Sequence, residues 1–190
     1  MDGFLASYWR LLRAIGAVER VVGVLLIANI VINIGAQVFS RYVLDQPLVW
    51  VEELAVYSFI WGTFIGASLG LKELRHIKIA SFVGGLAPRP QHLMRALAWL
   101  IVLLLMAVLM VQAHNVMSIE GRSRSISLPV AVPRSWFYSV PLFVGCASMA
   151  LTCGYFILAE LWSGLFGRPL EAIAAAETAA AESAAEGVGP

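Results

Sequence analysis

Residues 96–119 read ALAWLIVLLLMAVLMVQAHNVMSI, a stretch without any Asp, Glu, Lys or Arg. At 1.5 Å per residue, a helix of this length crosses the roughly 30 Å hydrocarbon core of a bilayer. Three further uncharged stretches occur at 21–40, 54–71 and 135–159. In lipid the backbone must satisfy its own hydrogen bonds, and no segment alternates like a barrel strand, so we interpret all four stretches as helices.

The composition agrees with lipid as the main solvent. The 190 residues are 60% hydrophobic and 13% charged, with a mean hydropathy of +0.82, whereas a soluble domain carries roughly 25% charged residues. A net charge of +1 gives no sign of a nucleic-acid partner. The sequence therefore predicts an all-α integral membrane four-helix bundle, a multi-pass domain at 19–162. Its expected spans are at about 20–42, 52–72, 95–119 and 134–160.

The two ends of the chain differ from this domain. In 1–18, apolar side chains recur at helical spacing while Arg10 and Arg13 lie elsewhere on the helix, which predicts an amphipathic helix in the headgroup region. Residues 163–190 are rich in Ala and Glu without an apolar face, so we expect a disordered cytoplasmic tail. Pro141 lies inside the last apolar stretch and is expected to kink that helix.

The basic residues indicate the direction of the spans. One side of the predicted membrane carries Arg41, Arg122, Arg124 and Arg134, and the other side carries the remaining nine of the 13 Lys and Arg residues. The positive-inside rule then predicts that both termini lie in the cytoplasm.

A polar ridge runs along the first span. Asn29, Asn33 and Gln37 follow one another at intervals of four residues, and Arg41 continues the series. Because such a ridge is unfavourable against lipid, we expect it to meet another helix. That helix belongs either to this chain or to a separate membrane partner.

Two carboxylates open the second span. Glu52 and Glu53 follow Trp50 at a helix N-terminus, where negative charge is favoured. Arg41 leaves the first helix at the same depth, so we predict that it pairs with one of them and leaves the other for a partner. The simpler alternative is a solvated helix start.

The second span also carries a ridge of small residues. Gly62, Gly66 and Gly70 continue from Ser58 at every fourth position, which allows another helix backbone to approach closely. This pattern predicts close packing and no particular chemistry.

The polar ridge, the small-residue ridge and the two carboxylates fit an accessory subunit that binds other membrane helices, and two alternatives to it can be weighed from the sequence. A haem-binding four-helix membrane protein needs two axial histidines at similar depth, but His76 and His114 lie at opposite boundaries and His92 lies in a connection. A stand-alone homo-oligomeric channel has little support, because the spans carry no acid or base at mid-depth. We expect that the chain is not an enzyme and that it binds no cofactor and no metal, since its sequence contains no catalytic or ligating motif.

Several motifs occur in an order that resembles a known family. They are Phe39-Ser40-Arg41-Tyr42-Val43, Trp50-Val51-Glu52-Glu53-Leu54-Ala55, Trp61, Gly66-Ala67, His76-Ile77, and Leu128-Pro129 followed by Pro133, Tyr138 and Pro141. Over about 15–162 the chain resembles the small membrane subunit (Q-type, DctQ-like) of TRAP, or tripartite ATP-independent periplasmic, transporters.

The resemblance implies a function in a bacterial inner membrane. In this family a periplasmic substrate-binding protein (P-type) delivers a substrate, typically an organic acid, to a large membrane subunit (M-type) that uses a sodium gradient. The small subunit has no substrate site and braces the large one. The resemblance assigns Arg41, Trp50, Glu52, Glu53 and Trp61 to shaping the outer helix ends or contacting partners. It assigns His76 to a cytoplasmic boundary position.

Overall fold

The computed structural model describes residues 2–46, 48–73, 88–124 and 132–166. These residues form long α-helices and no β-strand beyond one isolated bridge between Arg124 and Pro133. A short 3₁₀ helix, Arg134–Trp136, precedes the last helix. The helices are α1 (Asp2–Val43), α2 (Val49–Lys72), α3 (Pro88–Glu120) and α4 (Ser139–Phe166).

Each of the four helices coincides largely with a candidate membrane span. By length and apolar composition, the candidate spans are Ser7–Val43, Trp50–Lys72, His92–Glu120 and Arg134–Gly164. The all-α class with four membrane-spanning helices is therefore confirmed for the described residues.

The observed helix ends differ in detail from the boundaries predicted from the sequence. α1 continues without a break from the predicted interfacial segment into the first span, because no proline interrupts 2–43. The location of 1–18 in the headgroup region stays a prediction. Pro141 is the third residue of α4, in the first turn where proline is tolerated, so the expected mid-helix kink was wrong. α4 ends at Phe166, and the remaining tail lies outside the described residues.

The helices pack into two compact units. Among the described residues, the first unit comprises 2–16, 69–73, 88–107 and 148–166, and the second comprises 17–46, 48–68, 108–124 and 132–147. Each helix contributes residues to both.

The core of the first unit joins the start of α1 to the second half of α4. Leu5 and Leu12 of α1 are buried in one cluster with Tyr155 and Phe156 of α4. The Tyr8 hydroxyl donates a hydrogen bond to the Leu151 carbonyl at 2.7 Å. Helical spacing in α1 thus directs one apolar face into protein, which anchors the amino-terminal turns.

Aromatic side chains hold the connection before α4 in the second unit. The ring of the buried Tyr57 on α2 stacks on Phe137, with centroids 3.8 Å apart, and meets the edge of Tyr138 at 5.8 Å. The Trp61 indole donates a hydrogen bond to the Trp136 carbonyl at 3.2 Å. These contacts fix the 3₁₀ turn on α2.

Candidate membrane-subunit interface

The polar ridge of α1 meets α2 within the second unit. The Asn29 amide donates to the Ser58 hydroxyl at 2.7 Å. The Asn33 amide donates back to the Asn29 carbonyl and to its side-chain oxygen, at 2.7 and 2.9 Å. Asn29 and Asn33 therefore bond inside this chain, as the first of the two alternatives predicts, and the bond from Asn29 to Ser58 ties α1 to α2.

The ridge continues into the turn between α1 and α2. The Gln37 side-chain oxygen accepts a hydrogen bond from the backbone N–H of Leu48 at 3.1 Å, and the Ser40 hydroxyl donates to the Gln46 carbonyl. Asp45 has a φ of 52°, a conformation that an aspartate adopts more readily than most residues. These contacts fix the outer ends of the two helices next to each other.

A groove of about 480 Å³ lies between α1 and α2 in the second unit. Arg41 and Glu52 stand at the end of the groove nearest the turn, and Ile30 and Phe59 mark its other end. The remaining lining residues are Asn33, Ile34, Gln37, Val38, Val51, Ala55 and Val56.

The predicted ion pair of Arg41 is not formed. Arg41 and Glu52 line the same groove, but no ion pair joins them in the described part of the chain. The Arg41 guanidinium lies over the ring of Tyr42 instead, 5.9 Å from its centroid. Both side chains are exposed, and hydration of exposed charges removes most of the gain from pairing. The Glu53 carboxylate accepts a hydrogen bond from the Tyr57 hydroxyl on its own helix.

The two tryptophans of α2 have different surroundings. Trp61 is partly buried and bonds to the chain before α4, as described above, whereas Trp50 is 41% exposed at the start of α2. A tryptophan at a helix end is typical of the membrane–water boundary.

The glycine ridge of α2 is mostly open. A Cβ added at Gly66 meets no neighbouring atom within 4 Å, and one added at Gly62 reaches only the Leu26 Cβ at 4.0 Å. Gly70 is partly buried in the first unit. A much closer approach of two helices occurs at Gly145 of α4, where an added Cβ would stand 2.8 Å from the Phe64 Cβ.

One predicted site residue cannot be placed. His76 lies outside the described residues.

The structure also brings together polar residues of the first unit, of which the sequence analysis considered only His92, and this residue lies in α3 rather than in a connection. Glu160 of α4 is only 5% exposed, and one of its oxygens lies 2.6 Å from His92 Nδ1, while the other lies 3.8 Å from an Arg95 nitrogen. The Lys72 ammonium donates to the Ser148 hydroxyl at 2.6 Å. In the sequence these residues end uncharged stretches and resemble solvated helix ends. The available signal was that Glu160 has apolar neighbours on both sides.

These residues make contacts between helices of the first unit. Among the described residues, no group of three or more His, Cys, Asp or Glu side chains could hold a metal ion. What the second unit offers is a groove with charged residues at one end and an open glycine surface on α2. Both are features through which a membrane protein contacts its surroundings.

Comparison with known proteins identifies relatives of the chain. A family model described as "Tripartite ATP-independent periplasmic transporters, DctQ component" matches residues 30–167. The chain is also 29% identical over 70 residues to the "Sialic acid TRAP transporter small permease protein SiaQ" of Vibrio cholerae serotype O1 (strain ATCC 39315 / El Tor Inaba N16961). That alignment covers 37% of this chain and 40% of the relative, so the chain matches less than half the length of that relative.

Proposed function

The chain belongs to the DctQ component family of tripartite ATP-independent periplasmic transporters, and from this membership we propose that it braces the large membrane subunit of such a transporter. In this proposal it is non-catalytic and lies in the bacterial inner membrane. Both termini face the cytoplasm, the side to which nine of its 13 Lys and Arg residues are assigned. The large M-type subunit moves the substrate, and a periplasmic P-type protein delivers it.

The proposed substrate class is an organic acid taken up with a sodium gradient. The name of the relative specifies sialic acid, which is a carboxylic acid, and this agrees with the class that the motif resemblance implies. Specificity among such acids is assigned to the binding protein and the large subunit.

The proposed contact with the large subunit includes the open glycine surface of α2, defined as Gly62 and Gly66. Without side chains there, the backbone of another helix can approach closely, and close packing is the main attraction between helices in lipid. No other part of the described chain comes within 4 Å of a Cβ placed at Gly66. This open position within a small-residue ridge is the observation that supports the interface most directly.

Bracing suits a partner whose transport step moves one domain against a fixed frame. The four helices of this chain would widen that frame, and the hydrogen bond from Asn29 on α1 to Ser58 on α2 would help to keep the added surface rigid. Of the other predicted interface residues, Arg41, Trp50, Glu52, Glu53 and Trp61 would shape the outer helix ends or contact partners, and His76 would lie at the cytoplasmic boundary.

Co-purification tests the proposal. The tagged full chain is isolated from its native membrane in mild detergent, and the proteins recovered with it are identified. We expect a stoichiometric large polytopic membrane protein. Recovery of the chain alone as a stable homo-oligomer would refute the assembly proposal and favour the channel.

A matched pair of variants tests the assigned surface. Gly66→Leu is expected to reduce recovery of the large subunit by at least about tenfold, because the added side chain separates the two helices. Gly23→Leu on α1, where a Cβ also meets nothing within 4 Å, is the control and should leave recovery unchanged. Equal recovery of the large subunit with both variants would show that the interface does not include Gly66.

A further inference from the structure

The groove between α1 and α2 has the length of one membrane leaflet. From Ile30 to Arg41 it follows eleven residues of α1, which corresponds to about 16 Å at 1.5 Å per residue. Half of a typical hydrocarbon core is about 15 Å. Arg41 lies two residues before the end of α1, and Glu52 lies in the first turn of α2. With the uncharged stretch 21–40 as the first span, the charged end of the groove is expected at the membrane boundary and its apolar end near mid-membrane.

The polar groups of the groove are arranged by depth. Arg41 and Glu52 supply one positive and one negative charge at the boundary, with no ion pair between them in the described chain. Gln37 lies one helical turn deeper. Its side-chain oxygen accepts from Leu48, and its amide N–H₂ has no hydrogen-bond partner among the described residues. Deeper than Gln37, the groove is lined mainly by aliphatic side chains, beginning with Ile34 on α1 and ending at Phe59 on α2.

We propose that this groove binds one phospholipid whose headgroup is zwitterionic and carries a primary ammonium, as in phosphatidylethanolamine. The phosphate binds Arg41, because guanidinium groups form charge-assisted hydrogen bonds with phosphate. The ammonium binds the carboxylate of Glu52. An ester carbonyl of the glycerol accepts from the Gln37 amide, and one acyl chain fills the apolar part.

The pair of opposite charges selects among headgroups. An anionic headgroup such as phosphatidylglycerol would satisfy Arg41 but would leave Glu52 without a cation. A choline headgroup carries a quaternary nitrogen, which has no N–H to donate to a carboxylate. The ethanolamine headgroup supplies both a phosphate and N–H donors, so it matches both ends of the charged pair.

Native mass spectrometry of the full chain tests the site. The protein in mild detergent is given equal amounts of phosphatidylethanolamine and phosphatidylglycerol with the same acyl chains. We expect one tightly held phosphatidylethanolamine. Arg41→Gln should lower its retention about tenfold, the scale of one lost charge-assisted hydrogen bond. Glu52→Gln should bring the ratio of the two bound lipids to about one, since only the ammonium contact is lost.

Two exposed residues outside the groove provide matched controls. Arg122→Gln removes an arginine, and Asp45→Asn removes a carboxylate from the turn beside the groove. Both variants should bind lipid as the unchanged chain does. Equal retention of the two lipids by the unchanged chain, or an effect of Arg41→Gln no larger than that of Arg122→Gln, would overturn the proposal.

The occupant can also be identified in the assembled complex. Val56 lines the groove and is 46% exposed, whereas Val24 is 63% exposed on α1 and does not line it. A photoreactive phenylalanine analogue at Val56 should form adducts enriched in phosphatidylethanolamine relative to those formed at Val24. An adduct with the large subunit, or lipid adducts of bulk composition, would contradict the proposal. Binding by the isolated chain tests the lipid site separately from the proposed assembly.

Discussion

At Gly145 the backbone of α4 lies against the side chain of Phe64 on α2. A Cβ added there would stand 2.8 Å from the Phe64 Cβ and 3.2 Å from the Phe64 carbonyl oxygen. Because the nearest atoms are a Cβ and backbone atoms, they cannot rotate away as the far end of a flexible side chain can. The absence of a side chain at Gly145 therefore sets the spacing of the two helices in the second unit.

Replacing Gly145 with alanine is expected to destabilise the chain by about 1–3 kcal/mol, the usual cost of overpacking. The free energy of unfolding can be measured in detergent by titration with denaturant. Gly23→Ala is the control, since a Cβ there meets nothing within 4 Å. If both variants unfold alike, Gly145 does not set the helix spacing.

Individual residues of the site could be predicted only in part. The spacing of Asn29, Asn33 and Gln37 correctly indicated that one side of α1 needs polar partners, because periodicity identifies a helix face. It could not say whether Ser58 of this chain or a residue of another would be that partner. No sequence motif marks Gly145. Its importance depends on its contact with Phe64, which is distant in sequence.

At the scale of elements, the amino-terminal turns of α1 belong to the protein core. Leu12 is 1% exposed and packs in the first unit, while its neighbour Leu11 is 53% exposed on the other side of the same helix. Two adjacent leucines thus have opposite surroundings, which offers a test of how firmly these turns are held.

Leu12→Ala is expected to lower the free energy of unfolding by about 2–5 kcal/mol, because it leaves a cavity in a packed cluster. Leu11→Ala should change it by no more than about 0.5 kcal/mol. Denaturant titration of the purified full chain measures both. Similar small effects would mean that 2–16 associates only loosely with the rest of the first unit.

The helices themselves were predictable, because 18 or more uncharged residues in lipid can only form a helix or a barrel strand. The ends of the helices were less predictable than their existence. The uncharged stretch begins at residue 135, but α4 begins at Ser139 after a 3₁₀ turn held by Tyr57 and Trp61. Likewise, Glu160 resembled a solvated helix end, although contacts with His92 and Arg95 allow its burial. Such contacts depend on tertiary structure.

For the whole molecule, the distribution of basic residues predicts that both termini face the cytoplasm. A fluorescent protein that matures only in the cytoplasm, fused after Pro190, should fluoresce, and alkaline phosphatase fused there should be inactive. Fusions at Arg124, between α3 and α4, should give the opposite pair of results. Active phosphatase at Pro190 would show that the chain lies the other way round.

The hydrogen bond from Tyr8 to Leu151 joins residues 143 positions apart, on α1 and α4. At roughly 5–20 residues per second, the ribosome needs about 7–30 s to make the intervening chain. Throughout that time Leu5 and Leu12 lack their partners on α4. The core of the first unit therefore cannot form until α4 has been synthesised. In that interval insertion factors can shield the amino-terminal turns, and proteases can degrade chains that lack α4.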